Sequence, residues 1–126
     1  MTKILYVDDI ERGGGVLERR LTRKGFDLIR ARDGQQAVDS AHREHPDIIL
    51  IDMTLPVMPA ENAIREIKQA EDTKHIPIIA LAARATSKDR ELALKAGCDD
   101  CNTKPMEYPR LLLPRLLEKI NRLLQR

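Results

Sequence analysis

The sequence predicts an α/β fold in which helices cover both faces of a parallel β-sheet. Short aliphatic runs alternate five times with helical patterns, and the connections between them are short. This alternation is typical of a doubly wound α/β sandwich. The aliphatic runs are also continuous, as in residues 48–51. A continuous run of this length is expected for a strand buried on both faces of a parallel sheet.

Composition restricts the class of protein. The length of 126 residues, without an internal repeat or a domain boundary, predicts a single domain over residues 1–126. Aromatic residues make up only 2% of the chain and the net charge is +2 with mixed signs, which argues against a nucleic-acid surface. No stretch resembles a signal peptide or a membrane span, and the two cysteines suggest free thiols in a reducing compartment. We therefore predict a cytoplasmic protein without nucleic-acid or membrane partners.

The first half of the chain contains three predicted strands and two predicted helices. The first strand is expected at residues 3–7. Three glycines at positions 13–15 should delay the first helix, because each costs ~1 kcal/mol relative to alanine inside a helix. Gly25 is a suitable residue to end that helix. The second strand, second helix and third strand are expected at residues 26–31, about 35–44 and 48–52.

The second half continues the alternation with two strands and three helices. The third helix follows a proline-containing loop at residues 57–60, and the strands are expected at 78–82 and about 101–103. The fourth helix is expected to begin at Thr86 or Ser87, either of which could cap it, and to end before the next glycine. Its predicted inward-facing residues are Leu92, Ala93 and Ala96.

The final helix is apolar on more than one side. The predicted sheet-facing row is Leu112, Leu116, Ile120 and Leu123, and the predicted second row is Leu113, Leu117 and Leu124. Pro114 is predicted to lie at the start of the helix, because proline suits a first turn and not an interior. A helix with two apolar sides usually has a second partner. The hypothesis is a homodimer through this helix, with the fourth helix and fifth strand beside it; the alternative is a broad core-facing side.

Carboxylates follow two of the predicted strands. Asp8 and Asp9 end the first strand, and Asp52 ends the third. Since parallel sheets place their chemistry at the carboxyl ends of the strands, we expect these groups to converge. Carboxylates at such short distances repel one another and resist ionisation unless a cation binds between them. The pattern therefore predicts a divalent metal site with Asp52 as its reactive member. The fourth and fifth strands bring Ala82 and Lys104 to the same edge.

Five motifs spread over essentially the whole chain are highly specific in combination. They are Val7-Asp8-Asp9, Asp52-Met53-Thr54-Leu55-Pro56-Val57-Met58, Ile78-Ile79-Ala80-Leu81, Gly97-Cys98-Asp99-Asp100 and Lys104-Pro105. Together they resemble the receiver domain of two-component response regulators. The resemblance implies a flavodoxin-like fold, a five-stranded parallel sheet in the order 2-1-3-4-5. It also implies a signalling protein, not an enzyme, that accepts a phosphoryl group from a histidine kinase or a histidine phosphotransfer protein.

The resemblance implies a role for each site residue. Asp52 would be the phospho-acceptor. Asp8, Asp9 and Asp52, with the backbone carbonyl of Thr54, would bind Mg²⁺, a hard cation that takes oxygen ligands. Lys104 would contact the phosphoryl group as a point charge.

Two positions depart from the family pattern. Ala82 stands where the family usually has Ser or Thr, and Cys101 stands where it usually has Tyr or Phe. Neither can make the hydroxyl contact or the aromatic rotamer change of the usual relay. A ligand shifts an equilibrium only through contacts that differ between two states. We therefore expect Asp52 to be phosphorylated with weakened coupling to the output face.

Two alternatives stay open beside a phospho-accepting receiver. The first is a pseudo-receiver, a constitutive protein-binding or dimerising module without phosphorylation, which Ala82 and Cys101 favour. The second is small-molecule phosphatase chemistry, which lacks support because Thr54 occupies the place of a second catalytic acid. Because the chain ends soon after the last helix, we expect a stand-alone receiver whose output passes through protein–protein contacts.

Overall fold

In the part of the chain that the structure describes, a five-stranded sheet packs against five helices. The computed structural model describes residues 2–8, 15–53, 58–82, 87–103 and 109–125. The elements in chain order are β1 (Lys3–Val7), α1 (Val16–Arg23), β2 (Asp27–Ala31), α2 (Gly34–Glu44), β3 (Ile48–Asp52), α3 (Ala60–Gln69), β4 (Ile78–Ala82), α4 (Ser87–Ala96), β5 (Asp100–Thr103) and α5 (Pro109–Leu124). Every neighbouring pair of strands is parallel, in the order β2-β1-β3-β4-β5. The predicted doubly wound, flavodoxin-like fold is thereby confirmed.

The core consists of two apolar layers, one on each face of the sheet. β3 and β4 are buried at every position, as their continuous aliphatic runs predict. The layer beneath α2, α3 and α4 is rich in alanine. The buried hydrophobic residues that the structure describes beneath α1 and α5 are Leu, Ile and one Tyr. The two faces of one sheet are therefore packed with side chains of different size.

The start of α2 is in close contact with the segment before α3. Asp33 caps α2, and its Oδ1 accepts a hydrogen bond of 2.9 Å from the backbone N–H of Gln36. A Cβ added to Gly34, the first residue of the helix, would lie 2.7 Å from Cβ of Met58 and 3.0 Å from its carbonyl oxygen. Such distances are shorter than van der Waals contact. Glycine at position 34 therefore lets the segment after β3 pack against α2.

An ion pair ties α3 to the loop between α4 and β5. The Lys68 Nζ lies 2.8 Å from Asp99 Oδ2, and both side chains are only 16% exposed. The same ammonium donates to the carbonyl oxygen of Ile76 at 2.7 Å, and Asp99 Oδ2 accepts from the backbone N–H of Ile78 at 2.8 Å. Ile78 is the first residue of β4. The pair thus fixes the amino end of that strand.

The ends of α1 and α4 follow the sequence, but the buried side of α4 differs from the prediction. α1 begins at Val16 after Gly15 and is followed by Gly25 with φ +92°. Gly97 follows α4 with φ +111°. However, the expectation that Leu92 faces inward is wrong: its side chain is 36% exposed, and Leu94 is 49% exposed. The buried residues of that helix are the alanines, because they face the alanine-rich layer.

α5 differs from the prediction in its start and in its buried row. The helix begins at Pro109 and contains Pro114 in its interior, so the prediction that Pro114 marks the start is wrong. Proline in an interior removes one backbone hydrogen bond, which tertiary packing of the surrounding leucines can offset. Leu113 belongs to the buried row with Leu116, Ile120 and Leu123, not to a second row. Leu117 and Leu124 are partly buried and pack against the same layer.

No helix in the part of the chain that the structure describes is long and apolar enough to cross a membrane.

Candidate functional site

Two predicted site carboxylates converge at the carboxyl edge of the sheet. Asp52 is the last residue of β3, and Asp8 follows β1 directly, with its backbone N–H donating to Ala31 O at 3.0 Å. β1 and β3 are adjacent, and Val7 is in register with Ile51, so the two acids occupy neighbouring positions at the ends of adjacent strands. Each is only 1% exposed. The prediction that Asp8 and Asp52 come together at this edge therefore agrees with the structure.

A tyrosine links the core to this acidic edge. The hydroxyl of Tyr6 donates a buried hydrogen bond of 2.7 Å to Asp8 Oδ2. Burial raises the pKa of Tyr6 above its usual value, and the hydrogen bond to Asp8 and the negative charges of Asp8 and Asp52 raise it further. The phenol therefore stays protonated at any ordinary pH and acts as a donor.

The described donor set fits Mg²⁺. Two carboxylates buried at one edge supply the oxygen ligands that this ion prefers, and their mutual repulsion at close range favours a cation between them. Within the described residues no three His, Cys, Asp or Glu side chains converge as a metal-binding group. The third predicted carboxylate, Asp9, lies outside the described residues. The structure thus describes part of the predicted ligand set, and that part suits the ion.

The two atypical positions lie on one face of the sheet. Ala82 ends β4 and is in register with Thr103, and Cys101 is in register with Ala80 on the same strand pair. Both Ala82 and Cys101 are buried in the alanine-rich layer. Lys119 of α5 donates to the carbonyl oxygen of Cys101 at 2.6 Å. At position 82 the side chain is therefore a methyl group within the alanine-rich layer and carries no hydrogen-bond donor.

Some predicted site residues lie outside the described residues. These are Asp9, Thr54 and Lys104. Their roles therefore remain predictions from the sequence. Tyr6 is a site contact that the sequence analysis missed, because it was counted only as part of an apolar strand. The signal was its spacing: residues two apart in a strand face the same side, so Tyr6 and Asp8 were bound to be neighbours.

The two cysteines are ordinary buried thiols. Both are free and buried in the alanine-rich layer. Burial raises the pKa of Cys98 to about 12 and raises that of Cys101 as well. Reactive cysteines have a lowered pKa and are accessible. The spacing of the two thiols therefore does not indicate a redox pair.

Comparison with known proteins agrees with this geometry over nearly the whole chain. The model of the response regulator receiver domain family matches residues 4–114. The polar-differentiation response regulator DivK of Brucella ovis is 34% identical over 113 residues, which cover 89% of this chain and 92% of DivK. The response regulator PleD of Caulobacter vibrioides is 38% identical over 105 residues, which cover 83% of this chain and 23% of PleD.

Solved structures show the same fold. The receiver domain of the sensor histidine kinase PA1611 from Pseudomonas aeruginosa PAO1 has a magnesium ion coordinated in its active-site cleft. It superposes with a TM-score of 0.87 at 37% identity, covering 99% of this chain and 98% of that one. A response regulator from Chloroflexus aurantiacus has a TM-score of 0.87 at 26% identity, with the same two coverages. With its strand order, its acidic edge and these relatives, the chain belongs to the response regulator receiver domain family, a family of signalling proteins.

Proposed function

We propose that this chain accepts a phosphoryl group on Asp52, in a reaction that depends on Mg²⁺. The observation that carries the proposal is the burial of Asp52 beside Asp8 at the carboxyl ends of adjacent central strands. Magnesium in the cleft of the related PA1611 receiver domain supports the choice of ion. Residues 1–126 act as one receiver domain in this proposal, and the free thiols favour the cytoplasm as its location.

The donor is a phosphohistidine of a histidine kinase or of a histidine phosphotransfer protein. One oxygen of the Asp52 carboxylate forms a bond to phosphorus while the bond from phosphorus to the donor imidazole nitrogen breaks. The electron pair of that bond stays on the imidazole, which takes up a proton from solvent. Asp52 thereby becomes an acyl phosphate, and no separate general base is needed because the attacking carboxylate carries no proton.

The other site residues hold the ion and the transferred group. Asp8, Asp9 and the backbone carbonyl of Thr54 bind Mg²⁺ together with Asp52, and Lys104 contacts a phosphoryl oxygen. When bound, Mg²⁺ neutralises the negative charge that builds up as the two anionic groups approach. Positioning of the reacting groups and electrostatic stabilisation thus supply most of the rate acceleration.

The test is incubation with acetyl phosphate and MgCl₂, followed by intact mass measurement. The wild-type chain should gain one phosphoryl group, and Asp52→Asn should gain none. The substitution Asp47→Asn is a matched control, because that carboxylate lies before β3 and is exposed; it should be modified like the wild type. A wild-type chain that stays unmodified with every small phosphodonor would refute the proposal.

A second candidate function is constitutive protein binding without phosphorylation. Ala82 and Cys101 favour it, since neither side chain can carry the usual hydroxyl or aromatic contact. Both candidates use protein–protein contacts for output, and the phosphorylation assay separates them. If the wild type is modified, nuclear magnetic resonance spectra of both states should show smaller shifts around Ala82 and Cys101 than around Asp52.

We also propose that the chain forms a homodimer through α5, with β5 and α4 as further parts of the interface. Leu117 and Leu124 are only partly buried on that helix, and Leu92 and Leu94 are exposed on α4, which contacts the same edge strand β5 from the other face of the sheet. Light scattering of the wild type at micromolar concentration should give twice the monomer mass. Leu94→Glu should shift the protein toward the monomer without unfolding it. A wild type that is monomeric at these concentrations would refute the dimer.

A further inference from the structure

Tyr6 is the one member of the hydrophobic cluster beneath α1 and α5 whose side chain carries a polar atom, among the buried residues that the structure describes there. Its ring packs with aliphatic side chains, and its side chain is only 3% exposed. An aliphatic residue or a phenylalanine would fill an apolar layer without any polar group. A buried hydroxyl destabilises the fold unless it has a hydrogen-bond partner. The role of the Tyr6 hydroxyl should therefore be sought in the residue to which it donates.

That partner is a predicted metal ligand. The Tyr6 hydroxyl donates to Asp8 Oδ2 at 2.7 Å in the protein interior. The distance is within the usual range for an O–H···O hydrogen bond. A carboxylate has about four lone-pair sites, so accepting this hydrogen bond is compatible with coordinating a cation. The bond also fixes the rotation of the carboxylate about its own axis.

We infer that Tyr6 is a positioning residue, which holds the carboxylate of Asp8 in the orientation that binds Mg²⁺. This inference rests on the proposed function, because it concerns the same metal site. Outer partners that orient a metal ligand typically change metal affinity 10- to 100-fold when removed.

The experiment is calorimetric titration of MgCl₂ into the wild type and into Tyr6→Phe at constant ionic strength. Phenylalanine keeps the ring and removes only the hydroxyl. We expect the dissociation constant of Mg²⁺ to rise about tenfold. Tyr108→Phe removes the same atom from the only other tyrosine of the chain, and we expect it to bind Mg²⁺ within about twofold of the wild type.

Unfolding in EDTA separates a positioning role from a structural one. If the hydroxyl only stabilised the fold, Tyr6→Phe would lower the urea midpoint and leave the Mg²⁺ dissociation constant unchanged, which would overturn the inference. A tighter constant would also overturn it, because the hydroxyl would then compete with the ion. If the wild type itself bound no Mg²⁺, the proposed function would fail together with the inference.

A second measurement does not depend on the folding of Tyr6→Phe. The chain has no tryptophan, so Tyr6 is the only strong fluorophore in the Tyr108→Phe variant. A cation at Asp8 withdraws charge from the acceptor of the phenol hydrogen bond. We expect the emission of Tyr6 to change on addition of MgCl₂ and to saturate with the dissociation constant found by calorimetry. Tyr6 emission that does not change at saturating MgCl₂ would overturn the inference.

Discussion

Gly34→Ala tests the contact between α2 and the segment that follows the Asp52 strand. The added methyl group would lie 2.7 Å from Cβ of Met58 and 3.0 Å from both its Cγ and its carbonyl oxygen. These atoms belong to the backbone or lie next to it, so a side-chain rotation cannot remove the contact. The φ angle of Gly34 lies outside the left-handed range, and the substitution therefore tests packing without backbone strain.

Two opposing effects set the magnitude. Alanine in place of glycine favours a helix by up to ~1 kcal/mol. Overpacking a well-filled contact costs roughly 1–3 kcal/mol. We expect the second effect to be larger, with a net loss of about 1–2 kcal/mol in the free energy of unfolding. In urea, with a slope of about 2 kcal/mol per molar, the midpoint should fall by roughly 0.5–1 M.

Gly25→Ala is the matched control, because at this position the backbone conformation is unfavourable for alanine and the space around an added methyl group is open. Gly25 has a φ of +92° and no atom within 4 Å of an added Cβ. Its substitution should cost ~1–2 kcal/mol through backbone conformation alone. In a Met58→Gly background the cost of Gly34→Ala should fall by about 1 kcal/mol, while the cost of Gly25→Ala should not change. A Gly34→Ala protein more stable than the wild type would refute the packing argument.

Three further substitutions or reactions test features away from the site. Lys68→Met removes the cation beside the largely buried Asp99 and should cost about 3 kcal/mol in urea unfolding, whereas Lys74→Met, on an exposed pair, should change stability by less than about 0.5 kcal/mol. The Cys98 thiol, whose pKa burial raises to about 12, should react with an aromatic disulfide reagent far more slowly in the native protein than in urea. A hydrogen bond from His42 of α2 lowers the pKa of Asp72. The hydrogen bond therefore stabilises the fold above the ordinary pKa of a carboxyl group, and this stabilisation is lost as the pH falls through the lowered pKa of Asp72. Asp72→Asn should accordingly flatten the acid side of the stability curve below about pH 4.

Each of these expectations has a result that contradicts it. Equal losses for Lys68→Met and Lys74→Met would mean that burial does not strengthen the first ion pair. Native labelling as fast as labelling in urea would mean that the Cys98 thiol is accessible. Parallel acid-unfolding curves for the wild type and Asp72→Asn, followed by circular dichroism, would mean that this carboxyl has the same pKa in the folded and unfolded chain.

The fold was predictable because buried parallel strands leave a clear pattern in a sequence. A strand covered on both faces must be apolar at every position, as β3 and β4 are. The pairing of Asp8 with Asp52 followed from the same pattern, since strands that end in acids bring them to one edge. The hydroxyl contact of Tyr6 escaped notice because apolar periodicity does not distinguish a ring that fills space from one that donates a hydrogen bond.

The errors in α4 and α5 have physical causes. Hydrophobicity alone favoured Leu92 as a buried residue, but the sheet face beneath α4 is packed with small side chains, and the alanines of the helix face it instead. In α5 the leucines are so frequent that several phases of the helix fit the pattern. Pro114 was then given too much weight, because a local preference can be overridden when the rest of the helix is held by packing.

The unequal size of side chains in the two layers makes the two faces vulnerable to opposite kinds of mutation. Beneath α2, α3 and α4 the alanine positions leave little room, so replacement of an alanine by a larger residue should displace a helix, and each of these positions has only one methyl group to lose. Beneath α1 and α5 the leucines and isoleucines fill the layer, so truncation should open cavities there. Random mutagenesis with selection for folded protein should therefore deplete enlargements at the alanine positions of one face and contractions at the leucine and isoleucine positions of the other.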